Sequence, residues 1–341
     1  MPNNFYHRIL QAIHILRYGE LPKSKMAPIP ELTSEEVGEA RVFFPMKKFF
    51  IFGHARSGTT MLVRLVRLHP QVYCNYQAHF FTRAPLLQSL VSNAEVRAWL
   101  ARSSNRWNRG KDLSPVVMRA AADFILEREA RRFGKTIVGD KSPSNLMNGE
   151  AVRLMYSIYP DASLVYIVRD GRDAALSHRI QGFIDFPDQL SKQDRIIRDD
   201  FSRDPQPYLS GKRSLFSENG IRNSAESWVK NVYETETEAR NLFKDRYFSL
   251  RYEDLLDNTW EEMQRLWWFL GAETEGSGLK ETLINELQQN PDAEWQKTKA
   301  KELAVSIQKG KRGSWREMFT ERDLQIFQEI AGETLINWRY T

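Results

Sequence analysis

Lys48-Phe49-Phe50-Ile51-Phe52-Gly53-His54-Ala55-Arg56-Ser57-Gly58-Thr59-Thr60 is the stretch on which the fold turns. It opens as a short apolar run ending at Gly53, the pattern of a buried strand. Met61, Leu62, Leu65, Val66 and Leu68 then recur at helical spacing until His69-Pro70 stops the helix. A glycine-bounded turn between strand and helix points backbone N–H groups at one spot, and the helix N-terminus adds partial positive charge. That is a phosphate cradle. It departs from the nucleotide P-loop G-x-x-x-x-G-K-S/T, because Thr59 stands where that motif requires lysine. The cation is Arg56 instead. An ATPase or GTPase needs the loop lysine on the β- and γ-phosphates and a hydroxyl on magnesium. The loop therefore suits a phosphate group outside the triphosphate–metal geometry.

Outward from this stretch, strand and helix patterns alternate. Residues 136–139, 163–168 and 247–250 read as strands, with 163–168 the clearest. Helices are expected at about 84–100, 115–133 and 145–159, after 168, around Ala225 to Val232, after Asn258 and after Thr320. Asn258 with Glu261 and Thr320 with Asp323 resemble capping boxes, and Gly271 suits a helix end. The expectation is an α/β fold: a single domain with a central parallel sheet flanked by helices. Residues 1–34 read as an N-terminal helical segment and linker, and 35–341 as the main domain. Residues 182–222 carry Gly182, Pro187, Pro205, Pro207, Gly211 and Gly220 and break the pattern. They are expected to be a long loop insertion, such as a lid or acceptor-binding loop.

The chain has 341 residues, 49 Lys plus Arg against 44 Asp plus Glu, and a net charge of +5. That balance suits an anionic ligand and is too weak to argue for nucleic acid. Cys74 is the single cysteine, so no internal disulfide forms and a cytoplasmic setting is expected. No stretch approaches the roughly 18 apolar residues of a membrane span. The six histidines form no cluster of metal-ligand spacing, so no metal is expected. Trp228, Trp267 and Trp268 are candidates to stack an adenine, with core packing the default for each.

A second cation belongs with Arg56. Arg169 stands at the carboxyl end of the 163–168 strand, the edge where open α/β sheets bind ligands. Ser177 follows about two helical turns later, so the pair can share one anion. With these residues the chain resembles sulfotransferases that use 3′-phosphoadenosine 5′-phosphosulfate, and their P-loop-like nucleotide-binding fold is implied. The family's R/K-S-G-T-T loop, which binds the 5′-phosphosulfate end, matches Arg56, Ser57, Gly58, Thr59 and Thr60. Its Arg and Ser for the 3′-phosphate match Arg169 and Ser177. Its R-K-G-x-x-G-D-W segment matches Gln308 to Trp315, with Gln308 and Ser314 departing. Lys309, Gly310, Lys311, Arg312 and Gly313 are the binding candidates there. Arg251-Tyr252-Glu253-Asp254-Leu255 resembles the family's Y-E-D-L stretch and adds Tyr252. The arginine form of the loop looks closer to tyrosylprotein and to bacterial or carbohydrate sulfotransferases than to the cytosolic detoxifying group.

The resemblance implies in-line, metal-independent transfer of a sulfuryl group to a hydroxyl or amine. Fixed cations stabilise the charge that grows on the departing phosphate. Arg56 is the first candidate. Lys141, in Gly139-Asp140-Lys141-Ser142-Pro143, is the second, because the family places a D/E-K-S/T-P segment at the active site. Ser142 or Asp140 would orient it. The acceptor must also lose a proton. Tyrosylprotein relatives carry a glutamate shortly after an H-P-x-V-x-C stretch. Here Tyr76 and Gln77 occupy those positions. His79 is the first choice of base, Asp140 the second and His54 the third. A catalytically silent nucleotide-binding protein is the alternative, with an ATP-dependent P-loop kinase after it. The acceptor is a glycan, peptide, lipid or small molecule. Arginines 83, 97, 102, 106 and 109 make the 80–115 region basic beside its pocket.

Overall fold

The apolar run ahead of the loop becomes the central strand of a parallel sheet. The structure is a computed structural model that describes residues 29–83, 85–101, 107–143, 148–273, 278–288 and 312–340. In chain order its elements are α1 (Ser34–Phe43), β1 (Lys47–Gly53), α2 (Thr59–Val66), β2 (Val72–Tyr76), α3 (Ala94–Ala101), α4 (Ser114–Arg132), β3 (Ile137–Lys141), α5 (Gly149–Ile158) and β4 (Ser163–Val168). There follow α6 (Gly171–Asp185), α7 (Lys192–Arg203), α8 (Gln206–Leu209), α9 (Glu218–Phe243), β5 (Tyr247–Arg251), α10 (Tyr252–Asp257), α11 (Thr259–Leu270), α12 (Leu279–Gln288), α13 (Trp315–Met318) and α14 (Glu321–Asn337). The strand order is β2-β3-β1-β4-β5, and every neighbouring pair is parallel. β1 thus lies between β3 and β4, and the loops leaving these three strands open at one edge.

Alternate side chains of a strand face opposite sides of its sheet. Phe50 and Phe52 pack into one core layer with Met118, Met155, Tyr166 and Trp228. Phe49 and Ile51 pack into the other with Leu62, Val66, Val165 and Trp267. β1 is therefore buried on both faces, which is why a central parallel strand reads as continuous apolar sequence. The expected single α/β domain with a helix-flanked parallel sheet is what is found.

At the amino ends of the strands lies a buried ionic network. The Lys48 ammonium is 2.6 Å from Glu127 and 3.6 Å from Asp123. Arg119 donates to Asp123 and Asp161, both at 2.7 Å, and the Tyr159 hydroxyl donates to Asp123 at 2.9 Å.

Four expectations need correction. Residues 182–222 are not an irregular loop insertion. α6 continues to Asp185, α7 and α8 follow, and α9 begins at Glu218. The Ser191 hydroxyl caps α7 by accepting from Asp194 N, and Ser217 caps α9 by accepting from Gly220 N. Phe183, Phe201, Tyr208, Leu215 and Phe216 are buried and seat this segment on the core. The helix expected over 84–100 is a 3-10 turn at Leu87–Val91 and then α3, because Asn93 accepts from the Glu95 and Val96 N–H groups and starts a new helix. β2 is a strand that the sequence reading did not place. Asn258 precedes α11 but makes no side-chain cap, whereas Thr320 and Asp323 form the expected capping box. Among the described residues no helix is long and apolar enough to cross a membrane. Residues 1–28, most of the expected N-terminal segment, lie outside the described residues.

Candidate active site

The turn after β1 is wound from unusual backbone. Arg56 has φ 72° and Gly58 has φ 86°, both left-handed. For arginine this conformation is uncommon. Alternating left-handed residues turn successive N–H groups into one concavity that binds anions. Gly58 is also fixed by contact: a Cβ there would lie 2.2 Å from the Tyr252 ring. Tyr252 thus floors the loop, and the Arg169 guanidinium stacks on its ring at 5.0 Å. Thr59 and Thr60 open α2, Thr59 buried and Thr60 exposed. The Ser57 hydroxyl is fully buried and has no hydrogen-bond partner among the described residues. Buried hydroxyls are nearly always satisfied, so an orphan under an anion cradle fits a ligand oxygen.

Three cations meet here from three adjacent strands. Arg56 Nε donates to Ser177 Oγ at 3.0 Å. Arg169 donates to the Arg56 carbonyl at 3.2 Å. The Lys141 ammonium, 1% exposed at the end of β3, lies 3.5 Å from the Thr60 hydroxyl. Burial, with the Arg56 charge adding to it, holds the lysine below its usual value. Arg56, Lys141, Arg169 and Ser177, spread over more than a hundred residues, are thus joined at one edge.

The α6 N-terminus is tied to the chain's last third. Glu253 accepts from Asp170 N at 3.1 Å and from the Tyr340 hydroxyl at 2.8 Å. Asp173 accepts from Gly313 N at 2.6 Å and Trp315 N at 3.2 Å. Asp170, Asp173, Glu253, Arg312, Gly313 and Arg316 line a cavity of about 390 Å³. Arg312 is ion-paired with Asp257 at 2.5 Å. Lys309, Gly310 and Lys311 lie outside the described residues. Sequence reasoning missed Asp173 and Glu253. Their signal was their place inside segments already singled out, three residues from the α6 cap and directly after Tyr252.

His79 is half-buried on the turn leaving β2, and its Nδ1 is 2.9 Å from the Thr82 hydroxyl. Burial lowers its pKa, and the charges of Arg83 and Lys141 add to the effect. Asp140 is 1% exposed, and burial pushes its carboxyl up to about 6. Asp140 Oδ1 accepts from Ala78 N on the turn carrying His79, Oδ2 accepts from the Ser142 hydroxyl, and Ser142 Oγ accepts from His79 N. His54 is buried and pushed down to about 4, first by burial and then by the neighbouring His178 charge. Its Nδ1 lies 3.0 Å from the Ala55 carbonyl, so that ring nitrogen is engaged in the loop itself. Tyr76 sits over Lys141, its ring centroid 5.5 Å from Nζ. Trp228 is in the core and donates to the Arg169 carbonyl at 3.1 Å, Trp267 is also buried, and Trp268 is 76% exposed. Arg83, Arg97 and Arg109 are described, whereas Arg102 and Arg106 are outside the described residues. Among the described residues no three His, Cys, Asp or Glu side chains form a metal-holding group.

Residues 48–201 match the model of the sulfotransferase family. That stretch holds the cradle, the Lys141 segment and the Arg169–Ser177 pair. The sulfotransferase resemblance read in the sequence is borne out. The chain is 26% identical over 227 residues to a protein-tyrosine sulfotransferase of Drosophila melanogaster, covering 66% of this chain and 38% of that protein. It is 28% identical over 128 residues to protein-tyrosine sulfotransferase A of Caenorhabditis elegans, covering 36% and 30%. The chain thus spans well under half the length of these curated relatives. Among solved structures, the mouse sulfotransferase SULT7A1 complexed with PAP aligns over 89% of this chain and 90% of that one, with TM-score 0.47 and 17% identity.

Proposed function

We propose that the chain is a sulfotransferase that transfers a sulfuryl group from 3′-phosphoadenosine 5′-phosphosulfate to an acceptor hydroxyl or amine. One observation carries the reading: Arg56, Lys141 and Arg169 converge on a strand-to-helix turn over a buried Ser57 hydroxyl that no group among the described residues satisfies. The family match over residues 48–201 supports it.

The donor supplies a sulfuryl group carried on a phosphate leaving group. In this reading Arg56, Ser57 and the N–H groups of Gly58, Thr59 and Thr60 hold its 5′ end. Arg169, Ser177 and the Arg312–Gly313 segment hold the 3′-phosphate. Arg56 and Lys141 carry the stabilisation of departing phosphate charge. The lowered pKa of Lys141 makes its proton easier to share with that oxygen. His79 takes the acceptor proton. With Nδ1–H directed at Thr82, its Nε2 lone pair is the base. Its lowered pKa leaves it neutral at pH 7, the state a base needs. Asp140 and His54 are poorer bases, one with both oxygens engaged and the other buried in the loop. A cytoplasmic setting and metal independence belong to the same reading, supported by the single buried Cys74 and by the three cations gathered at the turn. The names of the relatives make a tyrosine peptide the first acceptor to try.

A thermal-shift titration with 3′,5′-adenosine bisphosphate against ATP–magnesium tests the donor. A ligand at a hundred times its Kd adds about 2.7 kcal/mol. Stabilisation by the bisphosphate alone is expected; stabilisation by ATP–magnesium alone makes the chain a kinase. In the transfer assay, kcat/KM should fall on the acid side with an apparent pKa below 6.5. His79→Ala should lower the rate and erase that limb.

A further inference from the structure

The turn that follows β2 is held in a conformation its residues would not choose. Gln77 has φ 56° and His79 has φ 53°, left-handed values at two non-glycine residues only two apart. Such backbone persists when its surroundings over-determine it. Here three successive N–H groups are taken by three successive residues at the end of β3. Gln77 N donates to the Lys141 carbonyl at 2.8 Å. Ala78 N donates to Asp140 Oδ1 at 3.0 Å, and His79 N donates to Ser142 Oγ at 2.9 Å. The Ser142 hydroxyl donates to Asp140 Oδ2, closing the ring between the two side chains. Ser142 N donates to the Ile51 carbonyl at 3.0 Å, which fastens the assembly to β1 beside the cradle.

We propose that Asp140 and Ser142 are positioning residues, a buried clamp that locks the His79 turn in register with Lys141. The inference rests on the reading of His79 and Lys141 as base and cation. Asp140 is ill placed to act as a base, because it is 1% exposed and one oxygen receives a backbone N–H while the other receives a hydroxyl proton. The same contacts make it a good clamp. Each side chain bonds backbone on the turn, and each bonds the other, so losing either frees an N–H beside a strained residue. The sequence places Asp140 and Ser142 on either side of Lys141, so the segment that sets the cation also sets the turn.

Asparagine separates clamp from base. Its amide oxygen still accepts from Ala78 N, and its NH2 group still bonds Ser142 Oγ, but it cannot take a proton. The test compares Asp140→Asn, Asp140→Ala, Ser142→Ala and Ser142→Thr by hydrogen exchange of the 77–79 amides, by kcat and by affinity for 3′,5′-adenosine bisphosphate. Both alanine variants should speed exchange of the turn at least about tenfold and lower kcat by about ten- to a hundredfold, with bisphosphate affinity within about threefold of wild type. The Asn and Thr variants should restore slow exchange and most of kcat. Should Asp140→Ala fold poorly, the Ser142 pair decides the matter by itself. Wild-type exchange in the alanine variants overturns the clamp, as does an Asp140→Asn variant that exchanges slowly yet is as inactive as Asp140→Ala. Exchange needs no substrate, so a wild-type protein that transfers no sulfuryl group defeats the donor reading and leaves the exchange result to decide the clamp.

Discussion

Two clusters of buried charge lie at opposite ends of the same strands, and they are held in different ways. At the amino end, Lys48 and Arg119 are matched by Asp123, Glu127 and Asp161 within ion-pair distance. At the carboxyl end, the hydrogen bonds given above for Arg56, Arg169 and Lys141 run to two hydroxyls and a carbonyl. The nearby carboxylate of Asp173 accepts from two backbone N–H groups and also lies in the field of Arg169. The first cluster is neutralised by the fold itself. The second gathers three cations at the turn where the proposed donor would bring its anionic end. Removing one partner of the first should damage stability, and removing one member of the second should damage function.

The largest effect that would break this comparison lies at the carboxyl end. Arg56→Ala or Lys141→Met should lower kcat/KM about a thousandfold, the upper range for a lost transition-state donor. The melting temperature should hold or rise in Lys141→Met. Burial depresses the Lys141 pKa, so its charge opposes folding at neutral pH, and a methionine of similar shape removes that opposition. A variant that melts early would mean that Lys141 is structural and that the two ends do not differ.

The converse applies at the amino end. Asp123→Ala leaves Lys48 and Arg119 buried with fewer carboxylates and the Tyr159 hydroxyl without its acceptor. Breaking a buried pair from one side costs about 3–5 kcal/mol. Chemical denaturation should show that loss, while kcat per folded molecule stays near wild type. A large fall in kcat would couple the two ends through β1.

The two ends also differ in how much of them the sequence shows. The cradle could be read because left-handed turns at helix starts favour glycine and anion sites require cations. The strands β1, β3 and β4 were plain because they are buried on both faces. β2 was hidden because it is an edge strand whose burial fades from Val72 to an exposed Tyr76 across a polar Asn75. α7 was hidden because Phe201 is its one fully buried residue and most of its other residues are charged. Arg169 and Ser177 are close in sequence, so a local pattern pairs them. The hydrogen bonds of Asp140 and Ser142 join residues more than sixty apart, so no local pattern announced that they hold the His79 turn. The ionic network of Lys48, Asp123 and Asp161 was unread for the same reason.

The smallest expected effect sharpens the edge of the positive cluster. Arg312 lines the cavity beside Gly313 and is ion-paired with Asp257, both groups being about half exposed. An exposed pair of this kind contributes little to stability, because water and salt screen it. In the proposed 3′-phosphate site, however, Arg312 is partly neutralised by the aspartate. Asp257→Ala should leave the melting temperature unchanged and tighten 3′,5′-adenosine bisphosphate binding about threefold, with the gain fading as salt is raised. Adenosine 5′-monophosphate, which lacks the 3′-phosphate, should show no gain. Equal tightening of both nucleotides would place Arg312 in the general field of the cluster, and no tightening of either would remove it from the binding set.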